Sequence, residues 1–206
     1  MSLFVLGAGG HGRVVAECAR SAGLHVLGYI DDNPQLIGKS FIGFSVLGTS
    51  DRLEGTALSE SGVILGIGSN QTRLRLAHQY LNRSCSLPVI QHAHSWVSPS
   101  ATCGAGTVIM ANATVQTLCR IGMASIINTN ASVDHDCIIG DGVHIAPGVH
   151  LAGNVSVGSG THIGIGASII EGIHIGSGCL IAAGAVVIRD VTDGQRVAGV
   201  PARPMK

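Results

Sequence analysis

IGMASIINTNASVDHDCIIGDGVHIAPGVHLAGNVSV, residues 121–157, repeats itself every six residues. An aliphatic side chain stands at Ile121, Ile127, Val133, Ile139, Ile145, Leu151 and Val157. Four residues after each comes a small or β-branched one, as at Ala131, Cys137 and Val143. Followed outward, the aliphatic series starts at Val97 and ends at Val187, with Cys103 its one exception. A period of six does not fit a helix of 3.6 residues per turn. The glycines that often follow the aliphatic position (Gly122, Gly140, Gly158) would weaken a helix further. Short strands joined by tight corners do fit. Two residues of each hexad point inward, the residue between them points out, and three turn a corner. Three hexads then close a triangular coil, and coils stack as parallel β about 4.8 Å apart. The pattern predicts a solenoid of roughly five coils.

The residues before Val97 read differently. LFVLGAGGHG is a strand running into a glycine-rich turn. Gly7, Gly9 and Gly12 have the spacing of a loop that cradles phosphate. A helix is expected over 11–22, a strand in LHVLGYI, another in GVILGIG, a helix in QTRLRLAHQYLNR and a return to the sheet in SLPVI. The order predicts a small parallel-sheet α/β domain over residues 1–90, of Rossmann-like type, followed by an all-β solenoid domain over 91–206. Asp31 and Asp32 sit where a dinucleotide site would place an acid. Nothing downstream looks like a hydride-transfer site, so a nucleotide or nucleotide-sugar phosphate is expected at the loop rather than NAD. A purely structural turn is the plain alternative. His11 contacts a ligand there or is simply exposed.

Composition narrows the function. The 206 residues carry zero net charge, with 12% charged and 3% aromatic side chains. No basic field points to nucleic acid, and no tail points to a membrane surface. The start MSLFVLGAGG has no basic n-region, no apolar run approaches a membrane span, and none of the six cysteines forms a C-x-x-C pair. A cytoplasmic setting with free thiols is expected. Surfaces so poor in charge suggest self-association, and a triangular prism suits a homotrimer.

Between Val97 and Arg189 the charged residues are Arg120, Asp134, Asp136, Asp141, Glu171 and Arg189. Three of them lie at or near His135. In hexad phase Asp134, His135 and Asp136 fill one corner, so they project from an edge of the prism. A corner histidine beside a carboxylate can act as general base, the acid fixing its tautomer. A solvated polar corner is the other reading. His144, His150, His162 and His174 fall at outward positions. They would pack against a neighbour or line a groove, with a metal ladder a lesser alternative. Arg189, Arg196, Arg203 and Lys206 gather near the end, where a phosphate-rich ligand such as coenzyme A would need cations.

Taken together, VLGAGGHGRVV, GYIDDN, GIGSN, NTNASVDHDCIIGD, HIAPGVHLAGNVSVG and VAGVPARPM resemble bacterial sugar acyltransferases of the PglD/NeuD type. The resemblance spans essentially the whole chain. It implies a left-handed β-helix, a homotrimer with sites between subunits, and acetyl-CoA as cosubstrate without metal. It also implies N-acetylation of the 4-amino group of a nucleotide-linked amino-dideoxy sugar, with a UDP-sugar the first expectation. Position by position it makes His135 the base, Asp136 its partner acid and Asn128 an active-site residue. Asp136 stands where the family often has glutamate, and its side chain reaches less far. His144, Gly153, Ile165 and Arg189 are implied as acetyl-CoA contacts. Gly9, Gly10, His11, Gly12, Asp31, Asp32 and Asn70 are implied for the nucleotide sugar. Gly153 lies eighteen residues after His135, one coil along the same edge, as an oxyanion donor would. O-acetylation of a sialic acid or another sugar hydroxyl, a non-catalytic nucleotide-sugar scaffold and a three-histidine zinc hydratase are the rival functions.

Overall fold

The computed structural model describes residues 2–53 and 61–205. The N-terminal sheet has five strands: β1 (Ser2–Leu6), β2 (His25–Ile30), β3 (Ser40–Phe41), β4 (Phe44–Gly48) and β5 (Ser61–Leu65). Their order is β3-β4-β2-β1-β5, and every pair but β3–β4 is parallel. Helix α1 (Gly10–Ser21) crosses from β1 to β2 and buries Gly12, Val15, Ala16, Cys18 and Ala19, a stripe at helical spacing. Helix α2 (Asn70–Asn82) is capped by Ser69, whose hydroxyl accepts from the Thr72 N–H.

Two features depart from the expected order. The hairpin β3–β4 turns through Ile42 (φ 47°) and Gly43 (φ 89°). Isoleucine rarely adopts that conformation, so the turn carries half of the usual signal. SLPVI returns only partly to this sheet: Ser86 makes one bridge to Gly62, while Ile90–Gln91 pairs with Val108–Ile109 in the solenoid.

From Trp96 on, the strands are two residues long, save Arg196–Ala198 with three, and they close a triangular prism. The first face stacks Trp96–Val97, Thr114–Val115, Ser132–Val133, His150–Leu151, Ser168–Ile169 and Val186–Val187. The second face runs from Thr102–Cys103 to His174–Ile175, and the third from Ile90–Gln91 to Arg203–Pro204. As far as Val187 neighbouring strands pair in parallel at eighteen-residue register, as in Ser132↔His150 and Ile138↔Ser156; at the C-terminal end Leu180 pairs with Arg196, sixteen residues on, and the last pair is antiparallel. Inside, Ile127, Val133, Ala131 and Cys137 are all at or below 1% exposure. One inward side chain closes each strand and one opens the next, as the hexad predicts. Cys119 and Cys137 are free thiols within this core.

The α/β domain sits on the third face. It covers Val108 and Ile126, outward side chains that are 1% and 0% exposed. Arg73 of α2 pins the junction. Its guanidinium is buried and donates to the carbonyls of Ala124 (2.7 Å), Gly142 (3.0 Å), Ile67 (3.1 Å) and Gly68 (3.0 Å). Burial lowers its pKa to about 10, which leaves it cationic near neutral pH.

Candidate active site

Each corner of the prism has three residues, and the third has positive φ at Asp136 (59°) and Asn154 (61°). At the edge between the first and second faces this turn sets Asp136 back against its neighbour. The His135 Nδ1 lies 2.8 Å from Asp136 Oδ2, and the Asp134 carboxylate accepts from the His135 N–H at 2.8 Å. Both acids and the histidine are exposed. The hydrogen bond to Asp136, then the nearby negative charge of Asp134 and Asp136, raises the His135 pKa above its ordinary value. With Nδ1–H donating to Asp136, Nε2 is left unprotonated and free to take a proton.

Gly153 supplies the floor. A Cβ there would stand 2.5 Å from Cε1 and Nε2 of His135, so the ring rests directly on the glycine backbone. The reason for glycine is close approach, not conformation. The Gly153 carbonyl accepts from the Gly172 N–H, whereas its own N–H has no backbone partner among the described residues.

A second group of imidazoles lies on the third face under the α/β domain. His144 and His162 stack edge to face with ring centres 4.8 Å apart, and His11 lies 6.3 Å from His144. Asn128 Nδ2 meets His144 Nε2 at 3.0 Å, while its Oδ1 accepts from the Thr129 N–H. Burial lowers His144 to about 3, with the charges of His162, Arg73 and His11 adding to it. Burial and then Arg73 lower His11 to about 4, and His162 is shifted the same way. His11 is therefore half-buried rather than exposed, and its Nε2 is buried without a partner among the described residues. Among those residues no group of three His, Cys, Asp or Glu side chains gathers as metal ligands would.

The glycine-rich loop has the form its spacing predicts. A Cβ on Gly12 would fall 2.0 Å from the Gly7 carbonyl, so only glycine lets α1 pack this close to the turn. Gly9 and Gly10 are exposed with open space above them, at a helix N-terminus without a side-chain cap. Asp31 and Asp32 brace this region. Asp31 accepts from the N–H groups of Ala8 and Asn33, and Asp32 accepts from the Ser50 N–H. Asn70 is committed to the domain junction: its Nδ2 donates to the carbonyls of Gly160 and Thr161, and its Oδ1 accepts from Arg73.

One chain does not bring all the expected residues together. His135, Asp136, Gly153 and Arg189 share the edge between the first and second faces. Asn128 and the exposed Ile165 lie at the edge between the third and first. His11, His144 and the glycine-rich loop adjoin that other edge. Arg189, with Asp190, Thr192, Gln195 and Arg203, lines a cavity of about 270 Å³ at the C-terminal end, and Lys206 lies outside the described residues. Sequence reasoning missed the role of Arg73, which looked like an ordinary cation on an amphipathic helix. It also passed over Leu118 and Arg120, which border Asp136 in a cleft beside the histidine edge.

This two-part architecture is shared with known proteins. The PglD N-terminal domain family matches residues 2–80, and the bacterial transferase hexapeptide family (six repeats) matches residues 118–153. The acetyltransferase domain of PglB from Neisseria gonorrhoeae FA1090 is 40% identical over 99% of both chains, with a TM-score of 0.94. The same domain in complex with acetyl coenzyme A gives a TM-score of 0.95 over 99% of this chain and 98% of that one, at 40% identity. A histidine-to-asparagine variant of perosamine N-acetyltransferase from Caulobacter crescentus, in complex with CoA and GDP-perosamine, is 35% identical over 100% of this chain and 97% of that one, TM-score 0.94. A comparison with curated proteins returned no match. The fold and site define an acyltransferase of the hexapeptide class. The chain belongs to the PglD/NeuD-type family of hexapeptide-repeat sugar acetyltransferases.

Proposed function

We propose that this protein transfers the acetyl group of acetyl-CoA to the 4-amino group of a nucleotide-linked amino-dideoxy sugar, with His135 as general base. The observation that carries the reading is the His135–Asp136 pair at 2.8 Å, standing on an edge with the ring over Gly153. The neutral amine attacks the thioester carbonyl carbon. His135 Nε2 takes the proton that the amine loses, and Asp136 stabilises the imidazolium. The Gly153 N–H faces the developing oxyanion. The C–S bond then breaks, and the thiolate leaves as CoA after protonation. Neutral His144, oriented by Asn128, offers an uncharged donor at the thioester.

The donor and the glycan precursor are both cytoplasmic metabolites, which puts the reaction in the cytoplasm. Support for the donor and acceptor classes comes from relatives solved with acetyl coenzyme A and with GDP-perosamine. The working unit is a homotrimer. The two half-sites flank the first face, and a threefold axis in front of that face carries one edge of a chain to the other edge of its neighbour. The outward residues of the first face (Trp96, Thr114, Ser132, His150, Ser168, Val186) include no Asp, Glu, Lys or Arg. Thiol release from acetyl-CoA, measured against UDP-, GDP- and dTDP-linked amino and hydroxy sugars and free sialic acid, tests the reading. Acetylation confined to free sialic acid would overturn it.

A further inference from the structure

At the edge between the second and third faces, buried hydroxyls reach the carbonyl that opens a corner. Thr107 donates to Gly122 at 2.8 Å, Ser125 to Gly140 at 3.0 Å and Thr161 to Gly176 at 2.7 Å. Each donor is an inward hexad residue fifteen positions before its acceptor. The edge between the first and second faces uses thiols instead. Cys119 Sγ donates to the Asp134 carbonyl at 2.9 Å, and Cys137 Sγ donates to the Ala152 carbonyl at 3.3 Å. Both sulfurs sit so close to a carbonyl oxygen that a thiolate would be repelled, so both carry their protons. In other coils the same inward position of this edge holds Ala101, Val155 and Ile173, which have no polar hydrogen. The two thiols thus stand behind the corners of His135 and Gly153.

A trans peptide sends its C=O and N–H in opposite directions. The Ala152–Gly153 bond is trans, and Cys137 holds its carbonyl on the core side. The N–H of that peptide, which belongs to Gly153, therefore points out of the prism, toward the side where the His135 ring rests. It has no backbone partner among the described residues, so the carbonyl's bond is what sets its direction. That bond also polarises the peptide and makes the N–H a stronger donor. We propose that Cys137 is a positioning residue, aiming the Gly153 N–H from inside the core at the thioester oxygen. Cys119 holds the Asp134–His135 peptide in the same way, and the His135 N–H turns outward to the Asp134 carboxylate. Neither sulfur touches a substrate. The assignment rests on the acetyl-transfer reading above and adds to it the groups behind the site.

Steady-state kinetics of Cys137→Thr and Cys137→Val test the role. The two new side chains share one shape and differ in the donor. Thr161 and Val155 already fill the same inward position elsewhere in the prism. Cys137→Thr should keep kcat within about threefold, because a hydroxyl replaces the thiol as donor. Cys137→Val should lower kcat by about tenfold or more, approaching the loss of a whole oxyanion donor. The acetyl-CoA KM should stay within about twofold, since ground-state binding is untouched. The acid limb of the pH profile should not move, because His135 keeps Asp136. Cys137→Ala removes the donor without adding bulk, so it must show the same loss whatever valine does to the fold. Thr107→Val deletes the same kind of bond at the other edge, and its kcat should stay within about twofold of wild type. Alanine and valine variants as active as the threonine variant overturn the role. So does an equal loss in Thr107→Val, which would mean a loosened prism rather than a lost aim. A wild type that acetylates no acceptor sinks the acetyl-transfer reading. An active wild type with indifferent Cys137 variants sinks the thiol's role alone.

Discussion

Two populations of imidazole are pushed in opposite directions within one chain. His135 is exposed and raised by Asp136, whereas His11, His144 and His162 are lowered by burial and by Arg73. Only the first suits proton abstraction near neutral pH. His135→Ala should lower kcat/KM by about 10² to 10⁴, the usual worth of a general base, with an unchanged circular dichroism spectrum. The base works unprotonated, so activity must fall as pH drops below the His135 pKa. Asp136→Asn removes the charge that raises that pKa, so the acid limb of the kcat/KM profile should move to lower pH while the plateau falls. Gly153 allows a sharper test. Its φ is not positive, so alanine suits the backbone, but the new methyl would strike the His135 ring. Gly153→Ala should cost about 100-fold in kcat, as a misplacement of about 1 Å can, with little change in thermal midpoint. A collapse of the fold in place of that loss would contradict the reading. His135 was legible in the sequence because charge is so rare around it, and Gly153 because eighteen residues make one coil. Leu118 was not legible: its left-handed conformation (φ 59°) exists only as a backbone angle.

At the scale of elements, the hexad determines almost everything about the prism. Inward and outward positions, corners and coil register all follow from one aliphatic series. The α/β domain was readable as strand, glycine turn and helix, because periodicity and Gly12 are local signals. The β3–β4 hairpin was not, since Ile42 occupies a turn position that usually declares itself with Asn or Asp. The seat of this domain on the third face was also hidden. Val108 and Ile126 hint at a covered face, but the clamp is Arg73, and no pattern distinguishes it from Arg75 on the same helix. Arg73→Met should destabilise the protein by about 3 kcal/mol or more, because several carbonyls lose their donor in a buried setting. Arg73→Lys should recover little of this, since an ammonium cannot span the same fork of acceptors. Urea unfolding of both variants would show it, and a near-wild-type midpoint for the lysine variant would refute the clamp.

For the whole molecule, what decides the test is that the residues proposed for the site stand on different edges. His135, Asp136 and Gly153 are separated from Asn128 and His144 by the width of the first face. A single chain cannot close that distance, but a neighbour in a ring can. Complementation follows from this geometry. His135→Ala and His144→Ala should each be crippled alone, with assembly intact. Co-expressed with different tags and purified as mixed oligomers, they should regain activity, because some interfaces pair an intact His135 with an intact His144 from the next chain. A mixed ring of three, whichever variant is present twice, has one such interface out of three, so about a third of wild-type activity should return. A site contained within one chain predicts no recovery at any mixing ratio. The same measurement separates a ring from a symmetric dimer. In a twofold dimer of the two variants, one interface site would be intact in every heterodimer. Activity per purified mixed oligomer would then approach half, and light scattering would report two chains in place of three.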